Sequence, residues 1–224
     1  MQGGERMIRD IEAEVAFTGR MIGKQALDPR VMRAMRQVPR EKFVPSHLRH
    51  LAFANGPLPI GRGQTISQPF IVALMTDLVQ PEEDKVILEV GTGCGYQAAV
   101  LASVVRQVYS LEIVPELAEE AASRLQSLGY ANVEVKAGDA WLGWPEKAPF
   151  DGILVTAAAP RIPPALVQQL RAGGRMVIPV GPPFGHQELC LLEKDANSEI
   201  SLREVLAVAF VPLTGGGANL NRGL

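Results

Sequence analysis

This 224-residue chain is short of the residues that mark several kinds of chemistry. It has two cysteines, Cys94 and Cys190, far apart in sequence. Two thiols alone build neither a zinc set nor a disulfide framework, so a reducing, cytoplasmic setting is expected. Of three histidines, His47 and His50 share an i, i+3 spacing, but no cysteine or third histidine accompanies them. No metal site is expected, and His186 reads as solvated. The 22 lysines and arginines are outnumbered by 24 acids, and no basic block is present, which argues against a nucleic-acid partner. No apolar run of about 18 residues exists, so no membrane span is expected. Glu5, Arg6, Arg9, Asp10, Glu12 and Glu14 leave no room near the start for the apolar core of a signal peptide. Internal repeats and low-complexity tracts are also missing.

Hydrophobic residues make up 47% of the chain and charged ones 21%, which fits one sizeable globular domain. Residues 1–80 read as a helical extension carrying a substrate loop, 81–213 as the core, and 214–224, rich in glycine, as a frayed tail. Within the extension, DPRVMRAMRQV (28–38) has Val31, Met35 and Val38 at helical spacing. Asp28 is its N-cap and Pro29 its first helical residue. PREKFVPSHL (39–48) is a turn-rich connection, and the run at 71–79 a helix. From residue 85 strands and helices alternate. Strands are expected at 85–90, 108–113, 132–139, 150–158 and 175–181, with helices at 97–105, 115–129 and 163–174 between them. QELCLLEK (187–194) and REVLAVAFV (203–211) follow as two strands, a possible hairpin. The alternation predicts an α/β fold, a doubly wound, mostly parallel sheet of Rossmann-like type with right-handed crossovers. Ligands of such sheets lie at the carboxyl ends of the strands.

Gly91, Gly93 and Gly95 follow the first core strand directly and open a helix. Glycine there permits positive φ and close approach of the backbone to a ligand, although a bare tight turn uses the same residues. Glu112 ends the second strand, where an acid grips a ribose diol. Asp139 ends the third, where a carboxylate reaches an adenine edge. A dinucleotide fingerprint requires a small residue where Tyr96 stands. The alternating G-x-G-x-G, with Glu89 two residues ahead of it, instead resembles motif I of S-adenosylmethionine-dependent methyltransferases. TAAAP (156–160) lacks the amide and aromatic plate of enzymes that methylate base amines, and neither cysteine follows a proline as a cytosine-C5 nucleophile does.

A more specific resemblance rests on VPREKFVP (38–45), LPIGRGQTISQPFIVALMTDLV (58–79), VILEVGTGCGYQAAVLA (86–102), APFDGILVTAAAP (148–160), GGRMVIPVG (173–181) and FVPL (210–213). These segments are similar to those of the bacterial protein-L-isoaspartate O-methyltransferases, in the same order. Two positions depart from that pattern, Ala140 after Asp139 and Phe70 after the Ser-x-Pro. The resemblance implies methyl transfer from S-adenosylmethionine to the free α-carboxylate of isoaspartyl residues in proteins and peptides, by a monomer. It implies cofactor contacts at Glu89, Gly91, Thr92, Gly93, Gly95, Glu112, Asp139 and Ala140, and substrate contacts at Ile66, Ala157, Val211 and Pro212. Thr65 and Ser67 are the implied catalytic residues.

The segment GRGQTISQPF (61–70) contains no acid and no histidine. That suits a carboxylate nucleophile. A carboxylic acid of pKa about 3.9 is already ionised at neutral pH, so no base is needed. Hydroxyl donors suffice to orient it. A fixed cation in the loop would stabilise the ground state, whose charge is lost in the transition state. Ser67 has a second, compatible reading as the cap of the helix that follows. Trp141 and Trp144 read equally as adenine-pocket walls or as core, and Cys94 as a small packing residue.

Overall fold

The computed structural model describes residues 2–216. Three helices lead the chain. α1 (Gln2–Ile22) buries Met7, Ile8, Ile11, Val15 and Ile22, a stripe at helical spacing. α2 (Pro29–Gln37) starts as its sequence dictates, since the Asp28 carboxylate accepts from the Arg30 amide at 2.8 Å and Pro29 occupies the first turn. Two short 3₁₀ turns, Arg40–Lys42 and Ser46–Leu51, carry the proline-rich connection. α3 (Pro69–Leu78) is buried along its whole length, as a helix apolar on every side must be.

Between them lies a small hairpin, β1 (Leu58–Gly61) and β2 (Gln64–Ile66), where the sequence suggested only a turn and a loop. Arg62 and Gly63, the two residues of its turn, both have positive φ, the backbone that matches the twist of paired strands.

The core sheet has seven strands. β3 (Val86–Val90) is central, flanked by β4 (Gln107–Glu112) and then β5 (Val133–Ala137) on one side. On its other side lie β6 (Phe150–Val155), β7 (Leu170–Val180), β8 (Gln187–Lys194) and β9 (Ile200–Val208). Strands β3 to β7 are parallel, and β8 and β9 add an antiparallel hairpin. Helices α4 (Tyr96–Ala102), α5 (Pro115–Ser127) and α6 (Pro164–Gln169) make the crossovers. Alternate residues of β3 face opposite layers. Ile87 joins α1 to α4 in one cluster, while Leu88 and Val90 join Trp141, Trp144, Phe150 and Leu166 in the other.

Several boundaries differ from the sequence expectation: α4 ends at Ala102 rather than 105, β5 at Ala137 rather than 139, and β6 at Val155 rather than 158. The helix expected over 163–174 ends at Gln169, and Leu170–Gly174 belong to β7. Pairing of Leu170 with Phe150 outweighs a helical pattern of local residues there. β9 begins at Ile200 and ends at Val208, because Ile200 pairs with Lys194 and Val208 with Gln187. Of the expected tail, the Gly216 amide donates to Asp139 at 2.7 Å, and 217–224 lie outside the described residues.

The chain reverses direction across the sheet at β3, with β4 on one side and β6 on the other. The carboxyl ends of β3, β4, β5 and β6 therefore bring Gly91, Glu112, Asp139 and Thr156 to one rim.

Candidate active site

The turn after β3 is built by backbone geometry. Gly91, Gly93 and Gly95 all have positive φ, and the Gly91 amide donates to the Leu111 carbonyl at 2.7 Å. A Cβ on Gly91 would stand 2.2 Å from the Thr156 hydroxyl oxygen, so the loop passes where only glycine fits. Gly95 has a different reason. Its Cβ would press on Leu125 at 3.1–3.2 Å, so this glycine lets α4 and α5 pack together.

Glu112 closes the loop from the side. One carboxylate oxygen accepts from the Gly93 amide at 2.8 Å and the other from the Val114 amide at 3.0 Å. Asp139 is held likewise, by the Trp141 amide at 2.9 Å and the Gly216 amide at 2.7 Å. Glu89 lies fully buried behind the loop, bonded to the Ser110 hydroxyl, which also meets the Thr92 hydroxyl at 2.6 Å. Burial pushes the Glu89 carboxyl up to about 8. The Thr92 and Glu89 side chains therefore face inward as braces of the loop.

Two narrow slots open on this rim. One, of about 40 Å³, is bounded by Glu112, Ile113, Gly138 and Ala140, with Ala157, Pro212 and Leu213 opposite. The other, of about 30 Å³, runs past Gly91, Thr92 and Gly93 to Thr65, Ile66, Ser67 and Thr156. Glu112 is the one charged side chain among their lining residues, and no cation faces a would-be pyrophosphate. Glu112 is an acceptor that fits the hydroxyl donors of an adenosyl group, whereas Asp139, between the lining residues Gly138 and Ala140, lines neither slot and gives its oxygens to the Trp141 and Gly216 amides.

A larger groove of about 610 Å³ lies between α1 and the end of β9. Phe17 and Met21 of α1 form one wall, Leu206–Val211 the other, and Thr65, Ser67 and Thr156 the floor nearest the glycine loop. Val211 is thus in the groove, whereas Ala157 and Pro212, expected to touch substrate, line the Glu112 slot. The cause is a short parallel bridge. Ala158 donates to Val211 at 2.8 Å and accepts from Leu213 at 2.7 Å, which turns the intervening residue toward that slot.

Ser67 does not cap α3. The N-cap is Gln68, whose side chain reaches Glu14 at 3.0 Å, and the Phe70 amide is met by Asn55 at 3.1 Å. Phe70 itself is buried at the groove base. Among the described residues neither the Thr65 nor the Ser67 hydroxyl has a protein partner. Trp141 and Trp144 pack in the core, the latter edge-on to Tyr109, and they line neither slot. Burial raises the Cys94 thiol above its ordinary range. Thr156 is a site residue that the sequence did not reveal. It donates to the Gly91 carbonyl at 2.6 Å and borders both the groove and the glycine-loop slot. Threonine after a strand carries no signal of its own.

Comparison with known proteins identifies the family and the fold. Residues 19–218 match the family model described as protein-L-isoaspartate(D-aspartate) O-methyltransferase. A protein-L-isoaspartate O-methyltransferase 2 of Syntrophobacter fumaroxidans is 60% identical over 94% of this chain and 85% of its own. One from Nitrosococcus oceani is 55% identical over 96% of this chain and 98% of its own. A solved protein-L-isoaspartate O-methyltransferase superposes with a TM-score of 0.83 at 26% identity, over 96% of this chain and 67% of that one. A Plasmodium falciparum structure described as the same enzyme, in complex with S-adenosyl-L-homocysteine, shares the fold at a TM-score of 0.72 and 24% identity, over 92% and 97% of the two chains. The chain belongs to the protein-L-isoaspartate O-methyltransferase family, enzymes that use S-adenosylmethionine to methylate isoaspartyl residues of proteins.

Proposed function

We propose that Thr65 and Ser67 hold the isoaspartyl α-carboxylate at the junction between a peptide groove and the cofactor loop. One observation carries this reading: both residues border the 610 Å³ groove and the glycine-loop slot at once, with hydroxyls that no protein group engages among the described residues. When bound, S-adenosylmethionine supplies a methyl group made electrophilic by its sulfonium. Gly91 and Gly93 offer it backbone, Glu112 accepts from its ribose, and Asp139 with Ala140 borders its adenine. Glu89, Thr92 and Gly95 hold the loop in shape. Both slots are narrow, so the hairpin and the 212–214 segment must part to seat an adenosyl group.

The substrate's main chain lies in the groove with Val211 beside it, whereas Ile66, expected to touch substrate, is buried and lines the glycine-loop slot. An ionised carboxylate needs no base; it needs one oxygen held and the other aimed at the methyl. Hydroxyl donors do this without stabilising the anion as strongly as a cation would. The neighbouring main-chain amide nitrogen of the product then attacks the ester carbonyl, methanol leaves and a succinimide forms, which opens the way to repair. Residues 1–80 and 81–213 work as one catalytic domain on this proposal, since α1 and the hairpin supply half the groove. The enzyme works in the cytoplasm as a monomer on proteins and peptides and not on nucleic acid. An acidic balance of charge supports that choice of substrate.

Ser67→Ala tests the role directly. Loss of one donor to a carboxylate lowers kcat by about ten- to a hundred-fold, from roughly 1.5–3 kcal/mol, while cofactor affinity stays near that of the native enzyme. A variant with full turnover contradicts the assignment.

A further inference from the structure

Arg40 of the VPREKFVP segment touches neither slot nor the groove, yet it is 0% exposed. No carboxylate among the described residues pairs with it, and burial pulls its pKa below the ordinary arginine value. A buried guanidinium without a carboxylate partner is expensive, so a neutral donor would be expected if only a hydrogen bond were needed. Its contacts explain the choice. Nε donates to the Ala52 carbonyl at 2.8 Å. One terminal nitrogen donates to the Ser67 carbonyl at 2.8 Å and reaches the Gly56 carbonyl at 3.5 Å. The guanidinium carbon lies 4.7 Å from the centroid of the Tyr96 ring, itself fully buried on the first residue of α4. The other terminal nitrogen has no partner among the described residues.

One rigid, planar fork therefore gathers three carbonyls from separate turns and stacks on an aromatic face, a set of contacts that a lysine point charge cannot reproduce. The consequence falls on Ser67. Among the described residues its hydroxyl has no protein partner, so its position relative to the glycine loop is inherited from its main chain. Arg40 is the side chain bonded to that main chain. Through Tyr96, which follows Gly95, it also rests on the helix that the cofactor loop opens.

We propose that Arg40 is a positioning residue for methyl transfer: it holds the Ser67 carbonyl against the Tyr96 platform and so sets the Ser67 hydroxyl relative to the glycine loop. It never touches the substrate. This rests on the role given to Ser67, which Ser67→Ala tests separately.

The test uses Arg40→Lys and Arg40→Gln in the full chain, each alone and combined with Ser67→Ala. Turnover on an isoaspartyl peptide is measured well below each variant's melting temperature, and S-adenosylmethionine binding is measured by calorimetry. A displacement of about 1 Å costs on the order of a hundred-fold, so kcat falls by about ten- to a hundred-fold in either single variant. Cofactor Kd and peptide KM each change by less than about threefold. Because Arg40 acts through Ser67, each double variant turns over no more slowly than Ser67→Ala alone. A purely structural arginine would give a lower melting temperature with kcat within about twofold of native, or losses that multiply in the double variant. Either result overturns the proposal, as does a loss confined to peptide KM. If Arg40→Gln does not fold, Arg40→Lys, which keeps the charge, carries the same test.

Discussion

Glu112→Gln keeps the size of the side chain and removes its charge. In the native protein the two carboxylate oxygens accept from different amides, Gly93 at 2.8 Å and Val114 at 3.0 Å. A glutamine has one acceptor oxygen and one amide donor, so one backbone N–H is left facing another donor. The ribose hydroxyls assigned to this group lose a charged acceptor at the same time. Hydrogen bonds to charged groups contribute about 1.5–3 kcal/mol, which is roughly a ten- to hundred-fold loss of S-adenosylmethionine affinity. Thermal melting with and without cofactor reads this out. At a concentration a hundred times the native Kd, the ligand stabilises the native protein by about 2.7 kcal/mol. At the same concentration a variant binding a hundred-fold more weakly gains only about 0.4 kcal/mol. For a chain of this size each kcal/mol is worth about 2–4 °C, so a shift of roughly 5–11 °C shrinks to about 1–2 °C. An unchanged ligand shift in a folded Glu112→Gln variant would refute the assignment of Glu112 to the cofactor.

Two further outcomes follow from the loop. Glu89 is raised from 4.5 to about 8, so the folded state holds its proton more tightly than the unfolded state does. Its contribution to stability is complete below the unfolded value and is lost as pH rises toward 8, by about 1.4 kcal/mol per pH unit at most within that window. Denaturant titrations at about pH 5 and about pH 8 should show this decline, and Glu89→Gln should flatten it; equal slopes in both proteins would contradict the buried carboxyl. Gly91→Ala places a Cβ 2.2 Å from the Thr156 hydroxyl at φ +96°, so it should cost about 1–3 kcal/mol of stability and weaken cofactor binding. Native-like affinity and stability in that variant would mean the loop does not need glycine there.

The parts of the fold legible in the sequence are those whose local and tertiary preferences agree. α2 carries its own cap and proline, and the β3 turn carries glycines at each position of positive φ. The β1–β2 hairpin stayed hidden because its turn is Arg62–Gly63 and β2 has only three residues, too few for an alternating pattern. Leu170–Gly174 stayed hidden because Gly173 and Gly174 look like a helix stop, while pairing across β6 decides the matter. In the site, the acids at strand ends were legible because chain order puts them at successive junctions. The inward turn of Thr92, the core placement of Trp141 and Trp144, the shift of Ala157 and Pro212 to the Glu112 slot, and the brace at Thr156 all depend on packing that no spacing encodes.

With the substrate's main chain in the groove and its carboxylate at Thr65 and Ser67, as proposed, the course of the peptide backbone selects the isoaspartyl carboxylate. In an isoaspartyl linkage the main chain runs through the side-chain carboxyl and leaves the α-carboxylate free, whereas a normal aspartate offers its carboxylate from a side chain. The most direct measurement is methyl transfer from S-adenosylmethionine to two peptides of one sequence that differ only in that linkage. A misplacement of about 1 Å costs on the order of a hundred-fold, so the isoaspartyl peptide should be methylated at least about a hundred times faster than its aspartyl twin. Comparable rates on the two peptides would contradict the account.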